Sequence, residues 1–298
     1  MNYKLTIAFI TMNRSEQLRE AVLSCAAATL PEKTQFVIVD NASTDNTEQV
    51  VAELKGQISY DLVYQKEAEN RGVGGGRNVC FALSEGEYIY FFDDDAVIPE
   101  DQYAVFFTKA LAFMDENPNV ALLTTDIDDK VFGRREIPHA KTMKVGEHHC
   151  VVSFHGGTTF ARKASFSSPM FMNIMYGNEE IAVSMSVFDR GLRCVYMPEL
   201  YMEHRPMVNK WNGGDKDRLN MQGISNIYAI KRLIYPAVVT PLLYMAYKKR
   251  IKNNGITDKA LIGEFKVKRK AFSKAHKVKK VRLSTVIKAY REFGLTVF

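Results

Sequence analysis

Cysteine is scarce and scattered: Cys25, Cys80, Cys150 and Cys194 are the only four in 298 residues. None belongs to a CxxC pair and each sits among apolar neighbours. That pattern excludes a zinc ribbon or a disulfide framework and reads as reduced core thiols of a cytosolic protein. Long apolar runs are also missing. The stretch from Leu233 to Tyr247 is too short for a spanning helix and is interrupted by Pro236 and Pro241. Met1-Asn2-Tyr3-Lys4 leads directly into a strand-like run, Leu5 to Thr11, so no secretory signal is expected. Tryptophan occurs once, at Trp211.

An excess of one charge is absent from the chain as a whole, which is only +6, but not from its parts. From Lys248 to Phe298 there are 16 Lys and Arg against three acids, whereas the first 247 residues carry 24 basic and 31 acidic side chains. An acidic body with a basic tail is unlike a nucleic-acid binder, and no recognition motif for nucleic acid is present. No nucleic acid partner is expected.

The most informative stretch is Tyr88-Ile89-Tyr90-Phe91-Phe92 running into Asp93-Asp94-Asp95. Five apolar, strand-favouring residues read as a strand buried on both faces in a parallel sheet. Three carboxylates at its end repel one another unless a cation lies among them, and the carboxyl ends of parallel strands are where ligands bind. The pattern points to a divalent-metal site at the sheet edge. A solvated acidic loop is the alternative.

Other segments end in the same way. A first strand over Lys4–Thr11 stops at Met12-Asn13-Arg14, and Ser15 opens a helix whose apolar face is Leu18, Ala21, Val22 and Cys25. A second strand over Gln35–Val39 stops at Asp40-Asn41, ahead of a helix from Thr47. A third strand, Tyr60 to Tyr64, precedes Asn70-Arg71-Gly72-Val73-Gly74-Gly75-Gly76-Arg77-Asn78 and a further helix. Strand–helix alternation with short connections predicts a parallel α/β sheet, which gathers these polar ends on one edge. The glycine-rich loop lacks the third glycine of a dinucleotide fingerprint, since Arg77 stands there. Its glycines are expected to let a phosphate approach the helix N-terminus beside Gly76 and Arg77, or else simply to let the helix pack closely.

Taken in order, Thr6–Arg14, Val37–Asp45, Asn70–Asn78 and Phe91–Asp95 resemble the family 2 glycosyltransferases, inverting enzymes of GT-A fold, over residues 4 to 205. The resemblance implies a Rossmann-like mixed sheet flanked by helices, with residues 1–100 as the nucleotide-binding half and 101–215 as the acceptor half of the catalytic domain. It implies a nucleobase held by Thr11 and Asp40, with Asn13, Arg14 and Asn41 beside them. A carboxylate accepting from a base N–H suits a pyrimidine, hence a UDP- or dTDP-linked sugar donor. It also implies that Asp93 and Asp94 meet the ribose or the metal shell and that Asp95 binds Mn²⁺ or Mg²⁺, with His204 and Asp93 as the other metal candidates. Val152–Phe160, which holds His155-Gly156-Gly157, resembles the acceptor-side strand. Glu180 then matches the general base that takes the proton of an acceptor hydroxyl, with Glu179 as the alternate.

Lys210–Lys216 reads as a lid with glycine hinges, in which Trp211 stacks on a sugar or else packs at a domain edge. Residues 216–298 are expected to form a helical, basic extension. Its apolar and lysine-rich stretch, 233–282, suits an anchor at an anionic membrane surface on the cytoplasmic side. A helical bundle packed on the catalytic domain, or a homodimer contact, is the alternative. The function expected is sugar transfer to a hydroxyl of a glycan or lipid-linked acceptor in polysaccharide biosynthesis. A sugar-phosphate nucleotidyltransferase and a silent sugar-nucleotide-binding module are the competing readings.

Overall fold

A computed structural model describes residues 2–129, 133, 137–206 and 216–298. The N-terminal part alternates β1 (Tyr3–Thr11), α1 (Ser15–Ala27), β2 (Thr34–Asp40), α2 (Thr47–Gln57), β3 (Asp61–Lys66), α3 (Gly72–Leu83) and β4 (Gly86–Asp93). There follow β5 (Ala96–Val97), α4 (Phe106–Glu116), β6 (Val120–Asp129), β7 (His139–Val145), β8 (His148–Val151), β9 (Thr158–Arg162), α5 (Glu180–Asp189) and β10 (Arg193–His204). Four helices close the chain: α6 (Lys216–Ile234), α7 (Thr240–Asn253), α8 (Lys259–Ala275) and α9 (Leu283–Phe293).

The strands form one mixed sheet in the order β3-β2-β1-β4-β9-β6-β10-β8-β7, with β5 paired to β10. β3, β2, β1 and β4 run parallel, and β9 lies antiparallel between β4 and β6. Alternation along the strands divides the apolar side chains between two cores. Ile7, Phe9, Phe36, Ile38, Tyr90 and Phe92 face one side, and Ala8, Val37, Val39, Ile89 and Phe91 face the other. The first side is dense in rings, with Tyr90 and Phe160 centroids 4.3 Å apart and Phe106 and Phe107 edge-on to Tyr90. All four cysteines are buried free thiols.

The glycine-rich segment takes the second of its two expected roles, close packing of the helix. Helix α3 begins at Gly72, so the glycines lie inside the helix rather than ahead of it. The amides of its first turn are already engaged: Val73 N–H donates to Met175 O at 3.0 Å and Gly74 N–H to Ile174 O at 3.2 Å. A Cβ on Gly74 would lie 2.0 Å from Met172 O, and one on Gly72 would lie 2.4 Å from Met175 Cα. Small residues are required because the 172–175 backbone lies directly on the helix, and these amides do not form a phosphate cradle.

The basic C-terminal helices do not stand apart from the sheet. Ile230, Ile234, Leu243, Val286, Ala289 and Phe293 belong to the same buried cluster as β1 and β4. Glu292 of α9 accepts from the Thr142 N–H of β7 at 2.9 Å, and Asp189 at the end of α5 accepts from the Arg282 N–H at 2.9 Å. This is the packed bundle of the sequence-based alternatives. Among the described residues no helix is long and apolar enough to cross a membrane.

Lys231 sits inside this packing, with Nζ donating to Thr296 O at 3.2 Å. Burial, aided by the nearby Arg250, pushes its ammonium down to about 7 from the ordinary 10.5. Between those values the unfolded chain binds the proton and the folded chain does not, so Lys231 makes stability rise with pH across that interval. Its cost is fully present below the lower value. Lys231→Met is therefore expected to stabilise the protein most near neutral pH and progressively less toward the ordinary lysine range. Urea unfolding of both proteins at two pH values checks this, and a constant difference would refute it.

Candidate active site

The strand ends converge as the alternation requires. Thr11 is paired with Asp40, and Ile10 with Asp93, so β1, β2 and β4 deliver their polar termini to one edge. Asn13, at φ 54°, adopts the left-handed conformation that asparagine tolerates. Its Oδ1 accepts from Thr44 N–H at 2.8 Å, and its own N–H donates to Ser43 Oγ at 2.9 Å, which clasps the two loops together.

Asp40 is fully buried. Its Oδ1 accepts from Ser43 N–H at 2.7 Å and its Oδ2 from the Tyr64 hydroxyl at 2.8 Å. Next to it, Asn41 donates to Gly72 O at 3.3 Å, while its buried Oδ1 has no hydrogen-bond partner. Gly76 lies under that amide, where a Cβ would meet Asn41 Nδ2 and Ile10 Cγ2 at 3.0 Å. An orphaned buried acceptor is costly, and a ligand donor would relieve it.

Arg14 spans the acidic turn, donating to Asp94 Oδ1 at 2.9 Å and Asp95 Oδ2 at 2.7 Å. Burial pushes the Asp94 carboxyl up to about 7 despite Arg14. For Asp95, burial acts in the same direction but is outweighed by His204 and Arg14, which hold it below the usual range. His204, at the end of β10, faces Ala96 across the β5 pairing. Its Nε2 lies 3.3 Å from Asp95 Oδ1, and its Nδ1 lies 2.9 Å from Asp129 Oδ2. Burial opposes the imidazolium, but the hydrogen bonds to Asp95 and Asp129 raise it to about 9.

Arg77 is the hub of the other half. It is buried, bonded through Nη1 to Glu179 Oε1, and its Nη2 lies 3.3 Å from Asp93 Oδ1. Nη1 also stands 3.7 Å from Glu180 Oε1. Burial, and next the adjacent Glu179 charge, push the Glu180 carboxyl well above the ordinary glutamate range despite Arg77. The segment before β9 closes over this group. A Cβ on Gly156 would lie 2.2 Å from Arg77 Nη1, and one on Gly157 would lie 1.9 Å from Asp93 Cγ. His155 is tied in through its carbonyl, which accepts from Thr159 Oγ1 at 2.6 Å. The two glycines allow the segment leading into β9 to touch the acidic turn.

Most of the residues expected from the sequence therefore meet along one edge, in two linked groups. One is Arg14, Asp94, Asp95 and His204; the other is Arg77, Asp93, Glu179 and Glu180. Asp93, expected in the metal shell, also lies within reach of Arg77, because the buried guanidinium needs carboxylate partners. Trp211 and the expected lid lie outside the described residues. Tyr64 and Asp129 were not anticipated. The signal for Asp129 was available: Val120–Asp129 is another apolar run ending in acids, as in β4.

Asp95 and His204 fit a divalent ion that displaces the proton of His204 Nε2. Ligands on neighbouring octahedral vertices at about 2.1 Å lie about 3 Å apart, close to the 3.3 Å between Oδ1 and Nε2. Asp129 on the far ring nitrogen gives the carboxylate–histidine support common to metal ligands. No group of three or more His, Cys, Asp or Glu is set at metal-holding spacing among the described residues. Among the described residues Asp95 and His204 are the pair set for such an ion.

Comparison with known proteins adds the ancestry. Residues 6–170 match the model of Glycosyl transferase family 2. Over 122 residues the chain is 34% identical to the poly(ribitol-phosphate) beta-N-acetylglucosaminyltransferase TarS of Staphylococcus aureus, a match covering 40% of this chain and 20% of that protein. It spans about a fifth of that relative's length. The crystal structure of S. aureus TarS 1–349 with UDP-GlcNAc superposes with a TM-score of 0.61 at 19% identity, covering 83% of this chain and 72% of that one. GalNAc-T7 with UDP, GalNAc and Mn²⁺ gives 0.65 at 11% identity, covering 98% and 58%. The fold shared with these neighbours is GT-A. With more than half its length matched, the chain belongs to glycosyl transferase family 2.

Proposed function

We propose that this protein is an inverting glycosyltransferase that moves a sugar from a UDP- or dTDP-linked donor to a hydroxyl of a glycan or lipid-linked acceptor. One observation carries the reading. Arg77 bonds Asp93, on the donor side, and stands beside Glu180, on the acceptor side, so that two carboxylate groups with different tasks meet at one guanidinium. The nucleobase lies against the Thr11 and Asp40–Ser43 loops, where Asn41 Oδ1 awaits a donor. Asp95 and His204 would hold Mn²⁺ or Mg²⁺, which would supply positive charge to the departing diphosphate.

Glu180 takes the proton of the attacking hydroxyl. Its neighbour Glu179 is buried and has its Oε1 engaged by Arg77. Glu180 is farther from the same guanidinium, and its burial beside the Glu179 charge raises its proton affinity, as a base working near neutral pH requires. His155, Gly156 and Gly157 shape the acceptor side.

TarS, named for N-acetylglucosaminyl transfer with poly(ribitol-phosphate), supports a place in cell-wall polysaccharide synthesis. Calorimetric titration with UDP, dTDP, GDP and ADP, each with and without Mn²⁺, tests the donor. Metal-dependent binding of a pyrimidine diphosphate alone is expected. Equal binding of all four would overturn the base assignment, and no binding would overturn the donor site.

A further inference from the structure

The C-terminal helices enclose a cavity of about 520 Å³ lined chiefly by Tyr228, Arg232, Tyr244, Lys266, Arg269 and Lys270, with no carboxylate in its wall. Acids elsewhere on α8 do not neutralise it: Glu264 pairs with Arg218 and Lys268. Arg269 is fixed in place, its guanidinium 4.4 Å from the Tyr247 ring centroid and 5.4 Å from that of Tyr228. Concentrated positive charge with an aromatic floor suits a phosphate ester.

Beside this cavity runs an unpartnered stripe. Val238, Leu242 and Met245 are 67%, 42% and 59% exposed, and their spacing of four and three places them on one face of the turn leading into α7. Lys249 and Lys252 continue the same face. Tyr244, which lines the cavity, is the chain neighbour of Met245 in the same helix, and Lys248 Nζ lies 4.8 Å from its ring centroid. Apolar side chains beside a basic cluster match the two layers of an anionic leaflet, acyl chains and headgroup phosphate.

We propose that this face docks on an anionic phospholipid surface, one headgroup phosphate entering the cavity while Val238, Leu242 and Met245 enter the acyl boundary. Docking sets the acceptor side toward the lipid. The Asn226 side chain of α6 donates to Tyr176 O at 2.9 Å and Gly177 O at 3.2 Å, in the loop ahead of Glu179 and Glu180. This orientation rests on the reading of Glu180 as the base; the docking itself does not.

The test is co-sedimentation of the full chain with vesicles of phosphatidylcholine alone or mixed with phosphatidylglycerol. Binding only to the anionic vesicles, weakened by salt, is expected. The double variant Lys266→Glu/Lys270→Glu should lose it, and Val238→Ser/Met245→Ser should weaken it about tenfold. Thermal melts and UDP titration of both variants should match the parent, which separates loss of docking from loss of folding or of the donor site. Equal binding to neutral vesicles, no binding to anionic ones, or unchanged binding by the charge variant would each overturn the proposal. So would saturable binding of glycerol 1-phosphate by a protein that ignores vesicles, which would make the cavity a site for soluble phosphate esters.

Discussion

Glu180→Gln is expected to lower sugar transfer by about a thousandfold while leaving UDP affinity unchanged. Glutamine keeps the shape of the side chain at the start of α5 but cannot take a proton. Arg77 retains Glu179 and Asp93, so the buried guanidinium stays compensated and the variant folds. Glu179→Gln has a different signature. It removes the neighbouring negative charge and frees Arg77 to act on Glu180, and both effects lower the proton affinity of Glu180. The acid limb of kcat/KM, which reports the free enzyme, should move to lower pH. Single-turnover assays with steady-state pH profiles decide the matter. Near-normal transfer by Glu180→Gln, or an unmoved limb in Glu179→Gln, would remove Glu180 from the role.

Asp95→Ala should abolish the contribution of Mn²⁺ to donor binding, with UDP affinity in Mn²⁺ falling about a hundredfold, to the level seen with chelator. The loss follows from removing one of the two fitted ligands while the scaffold stays in place. Arg14 keeps Asp94, and His204 keeps Asp129, so neither cation is stranded. Titration of both proteins with UDP, with and without Mn²⁺, gives the answer. A variant that still binds more tightly in Mn²⁺ would place the ion elsewhere.

What could be read from the sequence was whatever depends on local order. Apolar runs ending in polar residues located β1, β2 and β4 and placed Thr11, Asp40 and Asp93 on a shared edge, because parallel strands leave no other arrangement. Pairings between distant segments were not legible. Nothing near Arg77 in the chain indicates that it bonds Glu179, and the Tyr64 hydroxyl reaches Asp40 only because β3 flanks β2. The glycines of α3 were ambiguous for a related reason. Close approach of a backbone and close approach of a phosphate call for the same small residues, and only the position of the 172–175 segment distinguishes them. The tail was ambiguous because a lysine-rich amphipathic helix can bury its apolar face on protein and still present charge outward; α8 does so, with Leu261 and Phe265 inside.

The insertion of β9 between β4 and β6 also bears on how the chain is made. During vectorial synthesis the first four parallel strands emerge together, yet β4 must wait for residues 158–162 before its outer edge is paired. Until then its backbone donors and acceptors are an open template, backed by Tyr90 and Phe92, and unpaired edges of that kind invite pairing with other chains. The first four strands are thus no portable module. The last of them, β4, is finished by β9, so completing the sheet and bringing Gly157 against Asp93 are one event.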